Sequence, residues 1–270
     1  MCFRCRSSRR PRGQPGARLC IIVLFSGLPS LAALRVCADP NNLPFSNEQG
    51  QGFENKLAEL VSGKLGEQLQ YTWWSERKSF IKNSLDAGRC DVVMGVPTAL
   101  ESVTATRPYY RSTYAFVSRH DRDLRVTSLD DARLTQLRIG IHVVGDDYAP
   151  PAVALARRGI TQNIAGFSLF GEYGAPNPAR KLIDAVARGD VDIAIVWGPF
   201  AGYFAQCEDT PLDIVPVAPS MFLGIPFTYE ISLGVRKGDQ ALKTKLDSVL
   251  ESESKKIQQI LVQYGVPQVH

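Results

Sequence analysis

The chain has 270 residues, with 44% hydrophobic residues and 31 basic against 27 acidic side chains. That length can bury two modest lobes or one larger domain. Six of the basic residues, Arg4, Arg6, Arg9, Arg10, Arg12 and Arg18, fall at the N-terminus, so the remainder carries 25 basic against 27 acidic residues. The apparent basicity belongs to the N-terminus, and nothing supports a nucleic-acid binder, which needs a basic patch or stripe.

Those arginines precede an apolar run, Leu19 to Leu28, and then small residues around Ser30-Leu31-Ala32. Basic, apolar, then small is the order of a secretory signal peptide over residues 1–32, with cleavage after Ala32. A membrane anchor is the competing reading, but the run is shorter than the roughly 20 residues a span needs, and Pro29 interrupts it. Ala17-Arg18-Leu19 before Cys20 makes a poor lipoprotein signal. The expectation is an exported, periplasmic protein without a stable membrane anchor after cleavage. It retains Cys37, Cys90 and Cys207, of which two could pair in an oxidising compartment and leave one over.

Leu34-Arg35-Val36-Cys37 reads as a first strand, stopped by Asp39-Pro40-Asn41-Asn42. Phe53, Leu57, Leu60, Val61 and Leu65 recur on one face of a helix. Ser75 is placed to cap a second helix, with Phe80, Ile81 and Leu85 on its buried side. Asp91 to Val96 reads as a fully buried strand. Strand, helix, helix, strand implies a parallel sheet with helices on both faces.

A second unit repeats this grammar. Arg138 to Ile141 is a strand, Ala152 to Arg158 a short helix, Leu182, Ile183, Val186 and Ala187 mark another helix, and Val191 to Trp197 another strand. In Asp86-Ala87-Gly88-Arg89-Cys90-Asp91 and Ala187-Arg188-Gly189-Asp190-Val191-Asp192 the glycine is expected to end a helix in the left-handed conformation. Tyr114 to Ser118 and Leu212 to Val217 are strand-like and connect the units. The expected organisation is a first lobe of residues 33–119 and 213–270 and a second of residues 120–212. A long amphipathic C-terminal helix, with Leu242, Leu246, Val249, Leu250, Ile257, Ile260 and Leu261 on its apolar side, closes the fold.

In open α/β sheets, ligands lie beyond the carboxyl ends of the strands. Asn41, Asn42, Pro44 and Phe45 follow the first strand, and Trp73, Trp74 and Arg77 precede the second helix. Gly95, Val96 and Pro97 follow the buried strand. The second lobe supplies Gly145, Asp146 and Asp147, then Trp197, Gly198 and Pro199. All three tryptophans fall in these predicted loops, where a large apolar face with one N–H donor suits a cleft or a partner surface; packing of the first lobe is the plainer reading of Trp73 and Trp74. Asp146-Asp147 reads as a helix cap before it reads as a cation site. Arg107 and Arg111 flank Pro108-Tyr109-Tyr110 and either meet an anion or stay solvated.

The case for catalysis is thin. His120, His142 and His270 are the only histidines, and HExxH, GxSxG and P-loop motifs are absent. A carboxylate-based hydrolase stays open, since two acidic residues need no motif.

The stretch Arg35-Val36-Cys37-Ala38-Asp39-Pro40-Asn41-Asn42-Leu43-Pro44-Phe45-Ser46-Asn47 resembles the MxaJ/XoxJ-type proteins, which are quinoprotein-dehydrogenase-associated members of the type 2 periplasmic binding fold. Tyr71 to Trp74, Arg107 to Ser112, Gly145 to Asp147, Ala185 to Gly189, Val196 to Tyr203 and Pro226 to Ser232 extend the resemblance to nearly the whole chain after the leader. It implies an α/β, two-lobed protein with parallel-dominated sheets and a hinge of two crossing strands. It further implies a non-enzyme without cofactor or bound metal, working beside a PQQ-dependent methanol or alcohol dehydrogenase, with that enzyme's cytochrome c as a further partner. The cleft would accept a partner segment or ligand through the loops named above, with Tyr109, Tyr110 and Arg111 included. The resemblance also implies a Cys37–Cys90 disulfide, compatible with adjacent parallel strands, and a free Cys207.

One departure matters. Amino-acid-binding relatives carry an arginine after the strand matching Asp91 to Val96, where it grips the ligand carboxylate. Here Thr98 to Val103 holds Glu101 and Ser102 instead. A receptor for a different small solute is therefore the alternative function, and a cyclohexadienyl-dehydratase-like enzyme the third.

Overall fold

The computed structural model describes residues 32–77, 79–144, 149–170 and 177–269. Residues 1–31 of the expected signal peptide lie outside them, as do Gly145, Asp146 and Asp147.

The first strand, β1 (Ala33–Ala38), sends Leu34 and Val36 into one core and Cys37 into another, as the two-residue period of a strand requires. Helix α1 (Phe53–Leu65) buries Phe53, Leu57, Ala58 and Val61 and ends at Gly66 in the left-handed conformation, φ 67°. Burying each of the larger three side chains is worth about 1.5–3 kcal/mol. The chain returns as β2 (Gln68–Trp73), parallel to β1 with Ala33 opposite Gln68. Helix α2 (Phe80–Asn83) is a single turn that begins after Ser79, so Ser75 is not its cap. Phe80 and Leu85 are nevertheless buried as expected. Strand β3 (Val92–Pro97) lies on the other side of β1, and Cys37 and Cys90 are joined by a disulfide with Cα atoms 5.5 Å apart. Cys207 is free and exposed.

Strand β4 (Tyr110–Arg119) leads to the second unit: β5 (Ile139–Val143), α3 (Pro150–Arg157), β6 (Ile164–Ser168), α4 (Arg180–Arg188), β7 (Ile193–Trp197), α5 (Gly198–Ala205) and β8 (Leu212–Pro216). Gly189, φ 77°, caps α4 in the left-handed conformation. Gly88 also has positive φ, at 70°, but in a turn beyond α2 rather than at a helix end. Strand β9 (Thr228–Val235) then carries the chain back to α6 (Gln240–Ser252) and α7 (Ser254–Gln263).

The expected single C-terminal helix is thus two, broken at Glu253. The apolar face that runs through Leu246 and Leu250 to Ile257 and Leu261 meets a glutamate at that point, and Glu253 is only 8% exposed. Its carboxylate pairs with Lys64 of α1 at 2.7 Å and Lys256 at 2.8 Å, which makes an acid tolerable on a face that packs inward.

The strand order is β2-β1-β3-β9-β4-β7-β5-β6, with β8 also on β4. Two strands are shared along their length. The first half of β4 pairs with β9, from Tyr110 opposite Ile231 to Thr113 opposite Thr228. Its second half pairs with β7 on one side, Tyr114 opposite Trp197, and with β8 on the other, Ala115 opposite Pro216. Strand β9 likewise turns from β4 to β3, where Val235 faces Val92. These are the two crossing strands of a two-lobed α/β protein, with parallel β2-β1-β3 in one lobe and parallel β7-β5-β6 in the other. Residues 114–119 of β4 thus pair with β7 and β8 rather than with β9. Each half-sheet has a core on both faces, and Leu43 of the first lobe packs into a core of the second.

Candidate functional site

The loop after β1 folds back over the start of α1. Asp39, buried, accepts from the Asn41 backbone N–H at 2.8 Å and the Glu76 backbone N–H at 2.6 Å. The first free N–H groups of α1, on Phe53 and Glu54, donate to the carbonyls of Pro44 (2.8 Å) and Phe45 (2.9 Å). Gly52 permits this approach, since a Cβ there would stand 1.9 Å from the Phe45 carbonyl oxygen. The result aims Phe45 and Glu54 into the space between the lobes.

A cavity of about 300 Å³ lies there. The first lobe contributes Phe45, Glu54, Glu76, Gly95, Pro97, Tyr110, Tyr229 and Ile231; the second contributes Tyr114, His142, Val144, Ala149, Leu169, Trp197 and Phe200. Its walls carry two clusters of touching rings. Phe45 meets Phe200 edge-on across the lobes at 5.1 Å, Phe200 meets His142 at 5.3 Å, and Trp197 touches Tyr114 at 5.4 Å and Tyr229 at 5.8 Å. Further contacts join the lobes. The Asn177 N–H donates to Asn41 Oδ1 at 3.2 Å, the Arg77 guanidinium lies 5.6 Å from the Phe170 ring, and Tyr203 stacks on Tyr264.

Two acids break the apolar lining. Glu54 sits against Gly95 so closely that a Cβ on that glycine would stand 2.1 Å from Glu54 Oε1. Enclosure by protein and the nearby Glu76 charge push its carboxyl well above the usual carboxylate range. Glu76 accepts from Asn42 Nδ2 at 2.7 Å, which favours its charged form, yet burial and the Asp39 charge raise it to about 7. Both side chains keep some accessible surface, the part they present to the cavity. His142, with Nε2 3.0 Å from the Ala179 carbonyl, is pushed down to about 4 by burial, so it is neutral and donates there. No lysine or arginine lines this cavity among the described residues.

Of the residues proposed from sequence, Phe45, Gly95, Pro97, Tyr110 and Trp197 line the cavity. Asn41 and Asn42 stand behind it, tying Asn177 and Glu76. Arg77 and Val96 line an adjoining groove of about 430 Å³ that shares Glu76, Gly95 and Pro97. The others lie elsewhere. Trp73 ends β2 rather than sitting in a loop, and it stacks on Tyr71 at 4.5 Å. Trp74 is exposed under the Arg89 guanidinium, 4.9 Å from its ring. Tyr109 donates to the Met94 carbonyl in the core, and Arg111 is exposed on the outer face. Arg107 pairs with Glu251 and takes Asp247 on its backbone N–H, so no anion is needed beside it. Gly198 and Pro199 are buried at the start of α5, and Pro44 presents its carbonyl to α1.

Sequence reasoning passed over Glu54, Glu76, Tyr114, Phe200 and Tyr229. An acid in the first turn of a helix reads as a surface residue favoured by the helix dipole, and only the tertiary fold encloses Glu54. Among the described residues, no group of three or more His, Cys, Asp or Glu could hold a metal ion, and no helix is long and apolar enough to cross a membrane.

The model of the bacterial extracellular solute-binding proteins, family 3, matches residues 34–267. Protein MoxJ of Methylorubrum extorquens AM1 is 31% identical over 252 residues, covering 88% of this chain and 82% of MoxJ. The crystal structure of the periplasmic binding protein XoxJ from Methylobacterium extorquens AM1 is 34% identical with a TM-score of 0.73, covering 88% of this chain and 100% of XoxJ. That of MxaJ from Methylophaga aminisulfidivorans MPT is 28% identical with a TM-score of 0.75 at the same coverages. With the two crossing strands and the interlobe cavity, these matches make the chain a member of the bacterial extracellular solute-binding proteins, family 3, of the MoxJ/XoxJ type.

Proposed function

We propose that this protein is an exported accessory factor of a PQQ-dependent methanol or alcohol dehydrogenase, and that its interlobe cleft binds a segment of that partner. The observation that carries the reading is the aromatic cavity between the lobes, without a lysine or arginine among its described residues, in a chain of MoxJ/XoxJ type. Such a lining suits an apolar or amphipathic group and offers nothing to an α-carboxylate, which an ordinary amino-acid receptor must hold. Signal cleavage after Ala32 would deliver the chain to the periplasm, and the dehydrogenase's cytochrome c is a further candidate partner. We place the first lobe boundary at 113/114, where β4 changes partner from β9 to β7, and the second between β8 and β9. Hinge motion about β4 and β9 is then the response to binding.

The test is binding of residues 33–270 to purified PQQ methanol dehydrogenase at low and at physiological salt. A saturable complex supports the reading. Absence of a complex at both, with unchanged alcohol oxidation in a deletion strain, would sink it. The alternative, a receptor for one small solute, is favoured by the cavity's size, at the lower end for ligand sites. A large rise in melting temperature with a single small molecule would select it.

A further inference from the structure

Two carboxylates face aromatic rings in the interlobe cavity, and no cation of the described residues answers them. Glu54 lines it, enclosed by protein and set against Gly95, and no salt bridge to it is formed by a lysine or arginine among the described residues. Among the described residues Glu76 accepts from the Asn42 amide, and the charge of Asp39 acts on it as well. A buried carboxylate left in this condition either keeps a proton or meets a cation. The rings of Trp197 and Tyr229, which touch each other and line the same cavity, attract positive charge as well.

We propose that the cavity is a binding site for an alkylammonium group, with Glu54 and Glu76 as its counter-charges and Trp197 and Tyr229 as its aromatic wall. The inference rests on the reading that the interlobe cleft is the binding site, and it names the chemistry which that site takes. A free amine and the side chain of a lysine in a partner segment present the same group. A zwitterionic amino acid does not fit, since its carboxylate would find two acids and no base.

A cation entering the site displaces the protons that burial holds on the two acids. Affinity therefore rises with pH up to and through the neutral range, by up to about tenfold per pH unit for each proton released. The tyrosines and the histidine facing the pair keep one form there. Tyr109 and Tyr110 beside Glu54, and Tyr114 and Tyr229 on the walls, are pushed up and stay neutral. His142 is pushed down and stays neutral, Asp39 is held by two backbone N–H groups, and Arg77 reaches Phe170 instead.

The experiment is calorimetric titration of residues 33–270 with n-butylammonium and tetramethylammonium chloride, with n-butanol and norvaline as neutral and zwitterionic counterparts. A short N-acetylated, C-amidated peptide with one lysine is the second arm. The expected result is saturable ammonium binding with proton release, about tenfold weaker at about pH 6 than at about pH 8. Glu54→Gln and Glu76→Gln each weaken it by about tenfold, while circular dichroism shows both variants folded. Tighter binding of the peptide assigns the group to a partner segment, and tighter binding of the free amines assigns it to a solute. Butanol or norvaline binding as well as butylammonium, no ammonium binding at all, or full affinity in both folded Gln variants overturns the proposal. The dehydrogenase titration is independent: a complex with the enzyme but no ammonium binding removes this inference and leaves the proposed function standing.

Discussion

Replacing Glu76 with glutamine should make the protein more stable at alkaline pH and leave it nearly unchanged in acid. In the folded state the Glu76 carboxyl lies at about 7, against an ordinary value of 4.5, because burial and the Asp39 charge oppose its ionisation more than the Asn42 hydrogen bond favours it. Between those two values the folded chain holds a proton that the unfolded chain has released, so stability falls as pH rises from about 4.5 to about 7 and stays low above it. The difference of about 2.5 pH units corresponds to an upper value of about 3 kcal/mol. Glutamine keeps an oxygen to accept from Asn42 Nδ2 and carries no charge, so the packing stays and the penalty goes. Urea unfolding of residues 33–270 and of the variant at about pH 5 and about pH 8 measures this; for a chain of this size each kcal/mol moves Tm by about 2–4 °C. A variant less stable than the parent at the higher pH, or a difference that does not change with pH, would refute the reasoning.

Three further outcomes follow from other parts of the fold. Gly95→Ala should displace the Glu54 carboxyl, the flexible end of a side chain that stands 2.1 Å from the new Cβ, so cleft binding should weaken by about tenfold while stability drops by no more than about 1 kcal/mol; calorimetric titration and urea unfolding separate the two. Gly202→Ala should be much worse, by about 2 kcal/mol or more, because its Cβ would stand 1.8 Å from the Gly265 carbonyl oxygen, which is backbone; an unchanged melting temperature would contradict that contact. Reducing the Cys37–Cys90 bond, which closes a loop with a sequence separation of 53, should lower stability by about 4 kcal/mol, measured by urea unfolding with and without reductant.

His142 lies low, at about 4 instead of 6.5, and its sign is opposite to that of Glu76. Its contribution is present above about 6.5 and is lost as pH falls through 4. The unfolded chain takes up the proton that the buried ring refuses. His142→Asn should flatten the acid limb of the stability profile, and an unchanged limb would show that the ring is not buried neutral.

The reach of the sequence can be followed residue by residue. The spacing of Phe53, Leu57 and Val61 carried the helical period, and all three are buried in α1. Leu34-Arg35-Val36-Cys37 reads as a strand and lies in β1, while its register against β2 and β3 comes from the fold. The second helix failed at Ser75 because a single turn leaves too short a pattern to locate its start. The C-terminal helix was read as one because periodicity registers apolar positions and is blind to a glutamate that two lysines neutralise. Strand β9 left little signal of its own, since it is buried by neighbours far away in the chain.

Period and turn chemistry are local, so the sequence by itself determined the main helices, the parallel strand units and, through its ordered motifs, the MoxJ/XoxJ type of a two-lobed binding fold. The site is not local. Glu54 and Glu76 are 22 positions apart in the chain, and both share a cavity with Trp197 and Tyr229 only because β4 and β9 cross between the lobes. Enclosure by residues from both lobes, absent from any sequence window, is what turns two ordinary acids into proton-holding groups in an aromatic cavity.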